Sequence, residues 1–364
     1  MSVLRCLQRV NEIVLYTGNS HSRETFNSLQ VHSFISGCAG LQISSQESAF
    51  FAKSQPWGLI LFKRNCDNPE QIRELIKQFR TAVQRKDAPV FVDQEGGRVQ
   101  RLGPPHWPKY PAANAFGRLY DRSPLLALRV ARSVGHLMAS DLYDLGFTSS
   151  CLPVLDLPQS DGHTIIGDRA YSTKQSTIMA LARAHVAGLM EGGILPVMKH
   201  IPGHGRAQVD SHLDLPMVNA SRLDLETHDF PPFAALADLP MAMTAHVVYT
   251  TIDNANPATT SRKMIRDVIR KVIGFNGLLM SDDLSMKALR GTLTQKVEAS
   301  ISAGCDMVLH CNGVLEEMEE VAAAAPVLAG RALRRAKQAL KQRRKPVPFD
   351  EKQAAQDMQA VLAS

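Results

Sequence analysis

The sequence predicts an α/β protein built as a single (β/α)₈ TIM barrel. Two observations carry that expectation. Short apolar runs alternate with longer amphipathic stretches along most of the chain, which is the pattern of βαβ units and a parallel sheet. The apolar runs also end, one after another, on residues able to do chemistry: Asp93, Asp156, Lys199-His200, His246, Asp282 and His310. In a closed barrel all strand ends meet on one rim, where active sites form. A doubly wound open sheet is the alternative. It gathers ligands at a switch point and does not need a polar residue at nearly every strand end.

The elements follow in order. Strands are expected over residues 37–43, 58–62, 89–92, 147–155, 195–198, 240–245, 277–280 and 307–309. Between them lie helical patterns at 69–86, 124–145, 173–190, 221–238, 262–273 and 292–303. Several open on start signals: Asn68-Pro69 and Ser123-Pro124 place proline at the first helical position, and Ser221 precedes RLDLE. Residues 1–34 show little pattern and read as an N-terminal arm. Residues 35–345 form the barrel, and 346–364 read as a short helical tail packed on its outside.

Composition narrows the function classes. The chain has 364 residues, 45% hydrophobic and 21% charged, ordinary for a globular protein with a large core. No run approaches the roughly 18 apolar residues that span a bilayer. The N-terminus lacks the long apolar stretch of a secretory signal. The expectation is a cytoplasmic chain without a membrane partner. The six cysteines form no CxxC pair and have no zinc-like spacing, so they read as small buried residues in a reducing compartment. The net charge of +6 is concentrated in 331–345. No aromatics interleave there for base stacking, so a solvated helix face is expected rather than a nucleic-acid surface. A monomer is expected.

Residues 196–212, PVMKHIPGHGRAQVDSH, crowd three histidines, a lysine and an aspartate directly behind an apolar run. Lys199 and His200 stand at the strand end and are candidates to bind substrate hydroxyls. Asp210 and His212, two apart on a loop, can face the same way. The carboxylate would orient the imidazole and favour its protonated form, as a general acid that later acts as a base requires. Gly203 and Gly205 are candidate hinges for that loop, and His204 reads either as a brace or as a ligand contact. After another apolar run comes Ser281-Asp282-Asp283. One of the three suits a helix cap, but Asp282 is the first polar side chain able to point into a barrel mouth. In DQEGGRVQR (93–101), Asp93 can accept hydroxyl hydrogen bonds. Arg98 and Arg101 can hold an acid or pair with a carboxylate. Arg169, in IIGDRAYS, lies on a long rim connection. The histidine spacing matches no HExxH-type metal pattern, and no metal or cofactor is expected.

Taken together, VDQEGGRVQR, IGDRAYS, KHIPGHG, the DSH that follows it, and SDDLSM resemble the family 3 glycoside hydrolases. Within that family they are most similar to the single-domain β-N-acetylglucosaminidases of peptidoglycan recycling. The resemblance runs from about residue 37 to residue 312, with its five motifs in the same order. It implies a retaining hydrolase with Asp282 as nucleophile, His212 as general acid/base and Asp210 steering it. Asp93, Arg101, Arg169, Lys199 and His200 would bind N-acetylglucosamine. It also implies a muropeptide-type saccharide, terminal β-linked N-acetylglucosamine on anhydro-muramic acid, as substrate. Ile201 and GDRAY depart slightly from the family pattern, and neither removes a reacting group. A phosphorylase on the same scaffold, substrate assistance by the acetamido group in place of Asp282, and a non-catalytic amino-sugar-binding protein remain as rival readings.

Overall fold

The computed structural model describes residues 30–159, 166–207 and 215–362. Eight parallel strands close into a barrel in chain order: β1 (His32–Ser36), β2 (Pro56–Leu61), β3 (Val90–Val92), β4 (Ser149–Ser150), β5 (Leu195–Ile201), β6 (Met241–Thr244), β7 (Leu278–Asp283) and β8 (Met307–His310). β1 pairs with β2 on one side and with β8 on the other, which closes the ring.

Alternation along each strand divides the core in two. Ile35, Ile60, Phe91, Val197, Met241, Met243, Leu278, Met280, Met307 and Leu309 pack together inside the barrel. Their strand neighbours Phe34, Leu59, Leu61, Val90, Val92, Met198, Ala242, Leu279 and Val308 face the helices. Both sets are almost fully buried, because a barrel strand is covered on both faces and reads as a continuous apolar run. The side-chain period of two also aims the chemistry. Asp93 follows Phe91 by two, Lys199 follows Val197 by two, and Asp282 follows Met280 by two, so all three continue the inward-facing rows into the mouth.

The outer ring comprises α1 (Ser45–Ser54), α2 (Pro69–Ala82), α3 (Ala113–Arg122), α4 (Pro124–Leu145), α5 (Gln175–Glu191), α6 (Leu293–Ala303) and α7 (Leu315–Ala324). Helical segments at 222–235 and 264–272 complete it. The Asn68 side chain caps α2 by accepting from Gln71 N, and Ser221 accepts from Asp224 N. Ser123 makes no such side-chain cap on α4. A further helix, α8 (Gly330–Lys341), plugs the end of the barrel opposite the catalytic rim. Its Ala336 and Ala339 join the inner core, and its Arg335 pairs with Asp306 at 2.9 Å. α9 (Glu351–Leu362) then lies along α4, where Asp357 holds Arg129 at 2.9 Å. The cations of 331–345 lie on and just after this plug. Most are exposed, whereas Arg343 donates to the carbonyls of Gly193 and Phe147.

Two sequence expectations are corrected. The first strand is His32–Ser36, not 37–43, so residues 32–34 belong to the barrel rather than to the arm. HSFIS carries too few apolar residues to stand out, while the GCAGLQI that follows does. The structure uses that second stretch as rim loop. The carbonyl of Cys38 accepts from Arg64 and Asn65, and the N–H of Ala39 donates to Glu47. The strand expected over 147–155 shortens to Ser149–Ser150. Pro153 has no N–H to donate to the ladder, and only an isolated bridge, Val154 with Lys199, continues the pairing. The cysteines of the described region are all free and buried, and no described helix is long and apolar enough to cross a membrane.

Candidate active site

The ends of β3 and β5, with the loop after β4, deliver a compact charge network. Lys199 Nζ stands 2.9 Å from Asp93 Oδ1 and 2.6 Å from Glu95 Oε1. Arg101 Nη2 donates to Asp93 Oδ2 at 2.9 Å. Arg169 grips Glu95 with Nε and Nη2, both at 2.8 Å. The side chains of Lys199 and Glu95 are only 3% and 6% exposed, so each charge stays stable because it is paired. Burial acts to raise the Asp93 and Glu95 carboxyls, but Lys199 and its neighbouring arginines outweigh it and hold both below the usual carboxylate range. Burial acts to lower Lys199, and the two carboxylates more than reverse it. Three cations against two anions leave one positive charge in surplus, and Asp282 feels it.

His200 makes a second, separate pair. Its Nδ1 lies 2.7 Å from Asp156 Oδ2. Asp156 Oδ1 accepts from the backbone N–H groups of His200 and His204 at 3.2 and 2.7 Å. Asp156 is fully buried. Burial acts to raise its carboxyl, and His200 leads the groups that bring it below the usual range. His204 is buried against the same carboxylate. Burial first, and then neighbouring His200, push it down to about 4. It therefore braces the loop as a neutral ring.

Asp282, at the end of β7, is the carboxylate of the mouth that no cation among the described residues pairs. Asp283 N–H donates to its Oδ1 at 2.8 Å, and the other oxygen has no protein donor among the described residues. Burial acts to raise its carboxyl. His200, His246, the Asp283 N–H and Lys199 lower it further than burial raises it, so it is held as an anion. Asp283 is structural instead. Its carboxylate accepts from Ser285 N, Ser285 Oγ and Cys311 N, at 3.0, 2.6 and 3.1 Å.

The site therefore brings together Asp282, Asp93, Arg101, Arg169, Lys199 and His200. Asp210 and His212 lie outside the described residues. Their stems are firmly built. Arg206 Nε pairs with buried Asp229 at 2.8 Å, the Tyr249 hydroxyl donates to the Gly203 carbonyl, and Met217–Val218 pairs with Val248–Tyr249. Gly205 serves close packing rather than hinge motion, because a Cβ there would stand 1.9 Å from the Leu157 carbonyl oxygen. Arg98 pairs with Asp168 at 2.8 Å on the rim. Sequence reasoning missed Glu95 as a site residue and noted Asp156 only as a strand end. Both were detectable. Glu95 follows Asp93 by two, and Asp156 ends an apolar run.

Comparison with known proteins agrees with this fold. Residues 22–343 match the model of the glycosyl hydrolase family 3 N terminal domain. The chain belongs to glycosyl hydrolase family 3. It is thus an enzyme, of the β-hexosaminidase type. A β-hexosaminidase of Alkalilimnicola ehrlichii is 42% identical over 76% of this chain and 79% of its own length. One of Nitrosomonas eutropha is 37% identical over 75% of this chain and 79% of its own. Among solved structures, NagZ from Neisseria gonorrhoeae in complex with N-trifluoroacetyl-D-glucosamine superposes with a TM-score of 0.80 at 30% identity, covering 92% of this chain and 97% of that one.

Proposed function

We propose that this family 3 enzyme is a retaining β-N-acetylhexosaminidase that removes terminal β-linked N-acetylglucosamine, with N-acetylglucosaminyl anhydro-muramic acid fragments of peptidoglycan as its substrates in the cytoplasm. The observation that carries the mechanism is the division among the mouth's carboxylates. Asp93, Glu95 and Asp156 are all committed to cations or imidazole and held ionised. They have no proton to give at neutral pH, while Asp282 is an anion with one oxygen unclaimed among the described residues. The nucleophile is therefore a carboxylate and the acid is not.

In the first step an Asp282 oxygen attacks C1 while the bond from C1 to the leaving oxygen breaks. His212, oriented by Asp210, gives its proton to that oxygen. In the second step His212 takes a proton from water, the water oxygen attacks C1, and the ester to Asp282 breaks. Two inversions return the β-configuration. Asp93, Lys199, Arg101, Arg169 and His200 would hold the sugar. Lys199 keeps one of its three protons free after serving two carboxylates. No cofactor takes part. A second reading is favoured by the His200–Asp156 pair at 2.7 Å, itself an imidazole oriented by a carboxylate, which could shuttle the proton in place of His212.

Leaving-group dependence separates the two readings. His212→Ala is expected to slow N-acetylglucosaminyl disaccharides by about 100-fold or more and to spare aryl glycosides with acidic phenols. His200→Ala should raise KM on both. The reverse pattern transfers the acid role to His200. For the substrate class, aryl N-acetyl-β-glucosaminides should exceed aryl β-glucosides in kcat/KM by about 100-fold. Equal turnover of the two would defeat the hexosaminide reading. Sugar 1-phosphate as the main product in phosphate buffer would make it a phosphorylase.

A further inference from the structure

His246, two residues past β6 and fully buried beside the mouth, makes two hydrogen bonds. Its Nε2 lies 3.0 Å from the backbone carbonyl oxygen of Asp283. Its Nδ1 lies 2.7 Å from Thr259 Oγ1, which is itself 2.7 Å from Thr244 Oγ1. A carbonyl oxygen can only accept, so Nε2 carries the proton. In a neutral ring Nδ1 then holds a lone pair and must accept from the Thr259 hydroxyl. The ring is neutral at pH 7, because burial lowers its pKa further than the Asp282 anion raises it. The Thr244 hydroxyl completes the chain by donating to Thr259 Oγ1. Thr259 Oγ1 also lies 3.2 Å from the Ala245 carbonyl, longer than its 2.7 Å to Nδ1, so its one proton goes to the nearer histidine nitrogen.

The chain of bonds does not stop at the carbonyl. The same residue, Asp283, donates its N–H to Asp282 Oδ1 at 2.8 Å, the single hydrogen bond to that carboxylate among the described residues. Asp283 has its side chain held by Ser285 and Cys311 N, its carbonyl held by His246, and its N–H aimed at Asp282. Rotation of this residue would swing the N–H and the carboxylate together.

We infer that His246 is a positioning residue for the nucleophile: through Asp283 it fixes which Asp282 oxygen is tied down and which is presented to the anomeric carbon, and Thr259 sets the histidine tautomer this requires. The inference rests on Asp282 being the nucleophile. It deepens that assignment by naming what orients the attack. Misplacing a reacting group by about 1 Å costs about 100-fold in rate, without weakening the grip on the sugar, which Asp93, Lys199 and Arg169 provide elsewhere.

The test is the rate of covalent trapping by a fluorinated N-acetylglucosaminyl fluoride, followed by mass spectrometry, together with the inhibition constant for N-acetylglucosamine. Label on Asp282 in the wild-type enzyme establishes the nucleophile. Label elsewhere, or none, overturns both the assignment and this inference. With the label in place, His246→Leu should trap about 100-fold more slowly with an unchanged inhibition constant. His246→Gln, whose amide can donate to the Asp283 carbonyl and accept from Thr259, should recover most of the rate. Trapping by His246→Leu within twofold of wild type, or equal losses for Leu and Gln, would overturn it. Should the leucine variant not fold, Thr259→Val and Thr259→Ser decide. Valine should slow trapping and serine restore it, and equal rates for the two sink the inference.

Discussion

The two halves of the barrel mouth are built on opposite plans. At the ends of β3 and β5, each carboxylate is matched to a cation, and Lys199 alone serves two. At the end of β7, Asp282 has one hydrogen bond and no ion pair among the described residues. The first arrangement spends its charges on one another, which holds the side chains still and leaves only spare donors for a ligand. The second leaves charge unspent. Rigid recognition and chemical reactivity make contrary demands on a carboxylate, and this fold meets them on different strands.

The sharpest way to break that contrast is to remove the unspent charge. Asp282→Ala should abolish turnover of every leaving group, by about 10⁴-fold or more, while N-acetylglucosamine still binds. Measuring kcat and the product inhibition constant side by side checks both halves of the claim. Removing a spent charge should do something different. Glu95→Gln leaves Lys199 and Arg169 short of an anion in a buried setting, which costs about 3 kcal/mol of stability and raises KM more than it lowers kcat. A denaturant midpoint equal to wild type would show that the pairs are not buried in the way described.

Acid should find the charged half first. The carboxyls of Asp93, Glu95 and Asp156 sit below their usual range in the folded chain, so the unfolded chain takes up protons first as pH falls. Their stabilisation is present in full above the usual carboxylate range, near pH 4 to 5, and is lost below it. His204, pushed down to about 4 by burial and His200, acts in the same direction from higher up. The unfolded imidazole protonates near pH 6.5 and the folded one does not. The urea midpoint should therefore decline from about pH 6.5 downward and steepen below about pH 5. A midpoint flat to pH 4 would contradict this. The smallest effect belongs to the rim. The Arg98–Asp168 pair is 44% and 39% exposed, and pairs that open to solvent contribute about 0.5 kcal/mol. Arg98→Ala should change the melting temperature by a degree or two and leave Asp282 trapping unaltered.

The barrel was legible because its signal is repeated around the ring: apolar runs alternating with helices, and polar residues at strand ends. Asp93, Lys199 and Asp282 could be placed in the mouth because the period of two carries an inward row outward without a break. What failed were strands whose composition hides them. HSFIS is mostly polar, and its polar groups are satisfied locally: His32 Nδ1 meets the Ser54 carbonyl at the end of α1, and the Ser36 hydroxyl donates to the Gly37 carbonyl. Pro153 cuts a strand that hydrophobicity alone extends. Partnership was not legible either. Nothing in the order of residues says that Lys199 would choose Glu95 as well as Asp93, or that Arg169 would cross the rim to meet Glu95, because these are contacts between segments some 70 to 105 residues apart.

The packed barrel interior, sealed at its far end by the plug helix, makes the mouth a blind well. With Ala336 and Ala339 seated among Met307, Leu195 and Trp57, nothing the size of a sugar can leave through the bottom. Incoming saccharide and departing monosaccharide must share one doorway. Free N-acetylglucosamine should therefore compete with substrate for entry, and the enzyme should slow as its own product accumulates.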